Sequence, residues 1–229
     1  MKIVLSRKGF DSTSRYGSKP SPIFDGRRLL SLPIPEVKKK TIRYSDVKAS
    51  AGKLQDLGAI VEQLTKGKIK GNSFVHLDPD LRRNSLDVRL PGWRPIFGQV
   101  DQSQTHLHKQ HVSKGDLFLF YGLYRDVAVH GPSIEYVRGK PRKHVIWGWM
   151  AIGDVLKVNS ENSDPEWARY HPHFTDKRGA NNTVYIAAKK AFGRHSGAGV
   201  FEEYQPKLCL TYLTEQQKIR PSLWSLPEW

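Results

Sequence analysis

Two long apolar and aromatic segments constrain this chain more than any other feature. Leu117–Tyr124 follows the turn Gly115-Asp116, and His144–Val158 is broken only at Gly148 and Gly153. Aromatic and β-branched side chains in such runs pack well on a pleated surface, so both read as strands of the interior. Thr183–Ala188 reads as a third. Met1–Ser6 alternates apolar and polar residues and reads as a first strand, ending in the turn-rich stretch Arg7–Pro22. Asp25-Gly26 supplies the positive φ angles of a tight turn inside the hairpin Ile23–Leu30. Ser73–Leu77 is a further short strand. Elsewhere the period changes. Leu54, Leu57, Val61 and Leu64 recur at helical spacing within Ser50–Lys66. Val100, Gln104, Leu107 and His111 share one face of a predicted helix over Gly98–His111, with His108 beside that stripe. These elements predict an α+β fold: a compact mixed sheet or a small β-barrel with a few flanking helices.

A chain of 229 residues, 38% of them hydrophobic, is able to build a substantial core. No linker or repeat divides it, so the expectation is one domain over 1–229, with a basic lobe at 1–72 and a strand-rich part at 112–229. The tail from Pro221 to Trp229 is too rich in proline for a helix and is expected to pack its two tryptophans on the body. The one cysteine, Cys209, has no internal partner, which excludes a disulfide scaffold and a Cys-based zinc ribbon and points to a reducing compartment. No apolar run approaches the roughly 20 residues of a membrane span, and the first six residues are too few for a signal-peptide core. A soluble, cytoplasmic protein is therefore expected, with no membrane partner.

The formal net charge is +15, and it is unevenly placed: residues 1–72 hold 16 basic and 6 acidic residues. The surplus lies at Lys38, Lys39, Lys40, Arg43, Lys48, Lys53, Lys66, Lys68 and Lys70. A concentrated basic field suits a polyanion, since each neutralised phosphate releases counterions. Nucleic acid is the expected partner, with Lys38, Lys39, Lys40, Arg43, Lys68 and Lys70 as backbone contacts.

Three groups of side chains carry possible chemistry. Ser6, Arg7, Lys8 and Asp11 follow the end of the first strand, where sites often form. Arg7 or Lys8 suits a phosphate, and Asp11 suits acid–base work or, alternatively, the capping of backbone amides. His76, Asp78 and Asp80 place an imidazole and two carboxylates on one turn, a set fit for a divalent metal, acid–base chemistry or base contact, unless Asp-Pro-Asp is an ordinary turn. No strong metal-ligand spacing such as HExxH is present, so no metal is expected. Gln104 and His111 lie on the helical stripe, the first suited to a base edge and the second to moving a proton, unless both are satisfied core groups. His171 and His173 flank Pro172 as pocket-wall residues. Trp93 and Tyr121 are the aromatic residues best suited to stacking on a base. Cys209, between Leu208 and Leu210, reads as an inert buried thiol. Ser196-Gly197-Ala198-Gly199 lacks a dinucleotide or Walker pattern, so no cofactor is expected.

The chain resembles a bacterial family called nucleotide modification associated domain 3. The resemblance rests on Lys2–Ser12, Pro20-Ser21-Pro22-Ile23, Leu30–Pro35, His76-Leu77-Asp78-Pro79-Asp80-Leu81 and Gly92-Trp93-Arg94-Pro95. It continues through Gly115–Phe120, His171-Pro172-His173-Phe174 and Pro221-Ser222-Leu223-Trp224. It implies the handling of modified DNA bases. A second, shorter resemblance links Lys114–Tyr121 and Val145–Val155 to PUA-like (EVE and ASCH) barrels, which implies a small barrel holding a base in an aromatic pocket.

Two functions from different classes follow. One is an enzyme acting on an already modified nucleobase in DNA by hydrolysis, hydration or group transfer, together with other proteins of a modification pathway. Its catalytic groups are expected among Asp11, His76, Asp78, Asp80 and His111. Conversion of a nitrile-bearing 7-deazaguanine to its amide is one such step. The other is a reader that binds modified bases in DNA or RNA without chemistry, serving restriction or defence. In either, Arg7, Lys8, Trp93, Gln104, Tyr121 and His173 are expected to touch nucleic acid.

Overall fold

The computed structural model describes residues 1–12, 19–36, 41–51, 54–158, 164–175, 181–193, 195–213 and 220–226. Lys38, Lys39, Lys40, Lys53 and Trp229 lie outside the described residues.

The expected interior strands form the spine of a nine-stranded mixed sheet. Its strands are β1 (Ile3–Arg7), β2 (Ser21–Phe24), β3 (Arg28–Leu29), β4 (Ile96–Gln99), β5 (Leu117–His130), β6 (Ser133–Tyr136), β7 (Lys143–Lys157), β8 (Thr183–Ala187) and β9 (Ala198–Val200). The main path runs β3-β2-β5-β7-β8-β4. β1 and β2 both run parallel to β5, β1 along Leu117–Tyr121 and β2 along Tyr124–Val127. β7 pairs antiparallel with β5, β9 and β8. The glycines at 148 and 153 do not break β7. It is one strand of 15 residues whose register shifts at Trp147 and Gly153, so the pairing survives as bulges.

The sheet does not close, which corrects the barrel alternative. Both of its terminal strands are capped by other segments. Leu29 donates to the Glu202 carbonyl and Arg28 bridges to Glu203, while Ile96 of β4 exchanges both backbone bonds with Asp80. With those edges taken, β3 and β4 do not pair with each other.

Phe97, Phe118, Phe120 and Tyr185 meet on one face of the sheet, with ring centroids 4.9–6.0 Å apart. Such edge-to-face and offset pairs add about 0.5–1.5 kcal/mol each beyond burial. A second cluster joins Phe10, Phe24, Tyr44, Leu57, Ile60, Val61 and Leu64. Its helix, α1, is Leu57–Leu64, shorter than the predicted Ser50–Lys66. Asp56 caps it by accepting from the Gly58 amide, and the segment before it pairs as a short ladder, Lys48–Ala51 with Leu54–Asp56. The second helix, α2, is Asp101–Lys109 instead of Gly98–His111, because Gly98 and Gln99 belong to β4. A last single turn, α3, is Pro172–Thr175. Among the described residues no helix is long and apolar enough to cross a membrane.

Candidate functional site

Asp78 is buried among several ionisable side chains. The Asp80–Ile96 bridge lays its loop along β4, and the Gly98 amide donates to Asp78 Oδ1 at 2.8 Å. Three histidines and a lysine surround the same carboxylate. His171 Nε2 lies 3.2 Å from Oδ1. His173 Nε2, His76 Nε2 and Lys8 Nζ lie 3.6, 3.9 and 3.8 Å from Oδ2. The Asp78 side chain is 1% exposed, and its Oδ2 makes no hydrogen bond. Burial alone would push this carboxyl up. His171, His173 and Lys8 outweigh that and hold it well below the usual carboxylate range. Burial pulls the Lys8 ammonium down, partly offset by Asp78, and pulls His171 down against the same carboxylate.

Each partner has its own support. Lys8 directly follows β1. Its carbonyl accepts from Trp147 Nε1 at 2.9 Å, the residue at the first bulge of β7, and its ammonium sits 4.6 Å above the Phe97 ring. His76 Nδ1 lies 3.2 Å from Glu36 Oε2. His173 Nδ1 lies 2.7 Å from Asn182 Oδ1, while Asn182 Nδ2 donates to the His173 carbonyl at 2.9 Å. The His173 ring lies flat on the backbone of β4: a Cβ at Gly98 would stand 2.3 Å from it. His171 is fully buried, and neither ring nitrogen has a hydrogen bond aligned to a described partner. The site opens into a cleft of about 290 Å³ lined by Lys8, Glu36, His76, Asp78, Gln99 and His173.

The other expected residues fall elsewhere. Asp11 is 4% exposed; its Oδ2 accepts from Arg7 Nε and Nη2, at 2.8 and 2.6 Å, and its Oδ1 accepts from the Leu123 amide at 3.0 Å. That amide lies in the gap between the stretches of β5 covered by β1 and β2, so the carboxylate stands where a strand partner is missing. Asp80 faces away from Asp78. It is paired with Arg89 at 2.7 Å and accepts from Tyr170 OH at 2.6 Å. Trp93 is buried under Arg89 and donates to Tyr170 OH at 2.8 Å, so its ring is already covered.

Gln104 is buried and accepts from Tyr185 OH at 3.0 Å, whereas His111 is exposed past the end of α2 at φ 52°, so the two do not meet. The reason is that the helix ends at Lys109, before His111 can join its buried face. Tyr121 is half-buried against His144 and Trp224. Arg43 lies over Phe74, Lys70 pairs with Glu62, and Lys68 is exposed. Two supports had no signal in the sequence: Glu36 and Asn182 are single polar residues in ordinary surroundings. The pair His171 and His173 was visible, but not its closeness to Asp78.

One ligand atom from each of His76, Asp78 and His173 lies within 4.8 Å of the others, a grouping able to hold a metal ion. No curated protein and no solved structure matches the chain. Its sequence matches the family profile of nucleotide modification associated domain 3 over residues 2–229, essentially its whole length, and the chain with this buried Asp–His cluster belongs to that family.

Proposed function

We propose that this protein is an enzyme acting on an already modified nucleobase in DNA, with the cleft above Asp78 as its active site. The observation that carries the reading is the Asp78 carboxylate, buried with one oxygen free of hydrogen bonds and ringed by three imidazoles and Lys8. Burying and clustering so many ionisable groups is costly for stability, and such clusters concentrate where protons or charge must be handled. A module that only reads a base needs hydrogen-bonding groups, not a charged core of this kind. The family adds the substrate class, and the basic first third of the chain adds a surface suited to phosphates.

The groups present serve hydrolysis, hydration or group transfer. Hydration of a nitrile on 7-deazaguanine is one such reaction, a net addition of water across the carbon–nitrogen triple bond. A duplex substrate would have to flip its base to reach the cleft. Asp78, His76 and His173 act at the reacting atoms in this reading, and Asp11 and Asp80 position the loops that carry them.

Nucleoside mass spectrometry on host genomic DNA tests the proposal. Deleting the gene should remove one nucleoside and accumulate its precursor. The wild-type chain should restore the product, and Asp78→Asn should not. A protein that shifts modified DNA in a gel but leaves its nucleoside masses unchanged would be a reader, and the enzyme reading would fall.

A further inference from the structure

We infer that His76, Asp78 and His173 bind one divalent first-row transition-metal ion of the zinc or iron(II) kind, with Glu36 and Asn182 orienting the two imidazoles. Such a site would take its ion whatever the substrate proves to be.

The first support is which nitrogen each ring presents. A carboxylate only accepts, so the Glu36 contact at 3.2 Å puts the His76 proton on Nδ1. Asn182 donates its amide to the His173 carbonyl, which leaves its oxygen as acceptor and puts the His173 proton on Nδ1 as well. In its neutral form each ring therefore presents the Nε2 lone pair, and both Nε2 atoms face Asp78 Oδ2, at 3.9 and 3.6 Å. A ring held by a carboxylate or amide on its far nitrogen is the usual support of a metal-bound histidine.

The second support is the unpartnered oxygen. Asp78 Oδ1 is engaged by the Gly98 amide and faced by His171, whereas Oδ2 is buried without a hydrogen bond. The gaps around it are too long for hydrogen bonds, and an ion drawing the three ligands inwards would fill them. Leaving such an oxygen without a hydrogen bond costs about 1–3 kcal/mol, which the Lys8 ammonium 3.8 Å away offsets only in part.

The donor set selects the ion. Two imidazoles and one carboxylate suit zinc, iron(II) or cobalt(II) and disfavour calcium and magnesium, which prefer all-oxygen shells. With three protein ligands, and the cleft on the remaining side, the ion would keep positions open for water or substrate. Bound there, it would supply a Lewis acid and an activated water.

The test uses the full-length protein, stripped with a chelator and titrated with Co²⁺ by visible absorption and with Zn²⁺ by calorimetry. One ion per chain is expected. His76→Gln and His173→Gln should each weaken binding at least tenfold, and Asn182→Ala on the order of tenfold through loss of ring orientation. The exposed control His130→Gln should bind as the wild type does. His76 is half-buried, so His76→Gln keeps a folded readout if substitutions at the buried His173 do not. Absence of stoichiometric binding would overturn the inference and leave Lys8 as the counter-charge of Asp78. So would binding that survives both histidine substitutions. Metal binding without nucleoside conversion would instead defeat only the enzymatic reading.

Discussion

Gly98 has no room for a side chain, because the His173 ring occupies the space where a Cβ would project. Gly98→Ala is expected to push that ring off β4, costing about 1–3 kcal/mol of stability. It should weaken metal binding as severely as His173→Gln, measured by thermal unfolding and by Co²⁺ titration. In the proposed function the two aspartates of the same loop have different roles, Asp80 structural and Asp78 chemical. Arg89→Ala would leave the buried Asp80 carboxylate without its ion pair, and a loss of about 3–5 kcal/mol in unfolding free energy is expected. Asp78→Asn keeps an acceptor for the Gly98 amide but takes the counter-charge from Lys8, so its distinguishing mark is turnover, lowered by on the order of 10² or more. Chemical denaturation and nucleoside conversion, run on both variants, distinguish the two. The residue types of this loop were legible in the sequence, but their directions were not. Alternation along an irregular turn does not say which carboxylate faces the cleft and which faces Arg89.

At the scale of elements, the tail is held by backbone bonds, Tyr212 donating to the Leu223 carbonyl and Ser225 to the Leu210 carbonyl, and by a ring-to-ring contact. Trp224 Nε1 donates to His144 Nδ1 at 2.9 Å, and Tyr121 packs edge-on against both rings. Burial, then the nearby Arg7, pulls His144 below its ordinary value, so the folded state holds this imidazole neutral. The unfolded chain binds the proton more readily, and stability therefore rises with pH across the window between the lowered value and about 6.5. The tail contact is fully present above that window and weakens as pH falls through it. Trp224 fluorescence should report the change, and His144→Gln should flatten the profile; a profile unchanged by that substitution would assign the titration elsewhere. The expectation that the tail packs a tryptophan on the body holds for Trp224. Strands and the Asp25-Gly26 turn were legible because their signals are local, with positive φ at both turn residues. Helix ends were less so. The capping Asp56 and the pairing of Gly98 within β4 cut both helices shorter than their periodicity suggested.

For the whole molecule, the proposed function assigns the uneven charge a role in meeting nucleic acid. Arg43 and Lys68 are exposed in the basic first third of the chain. Reversing both to glutamate should weaken DNA binding and lower the slope of log affinity against log salt by about 0.9 for each phosphate no longer neutralised. A filter-binding salt series measures this, and an unchanged slope would remove these two residues from the interface. Composition, periodicity and turn chemistry act over a few neighbouring residues. Reading the residues in order was therefore enough for the interior strands, the mixed α+β class and the family. Tertiary structure alone decided which of nine histidines reach Asp78, that Glu36 and Asn182 stand behind two of them, and that Asp11 fills a gap in the sheet. Those outcomes depend on strand order and register. Both arise from burying the whole sheet at once, and no short stretch of chain encodes that.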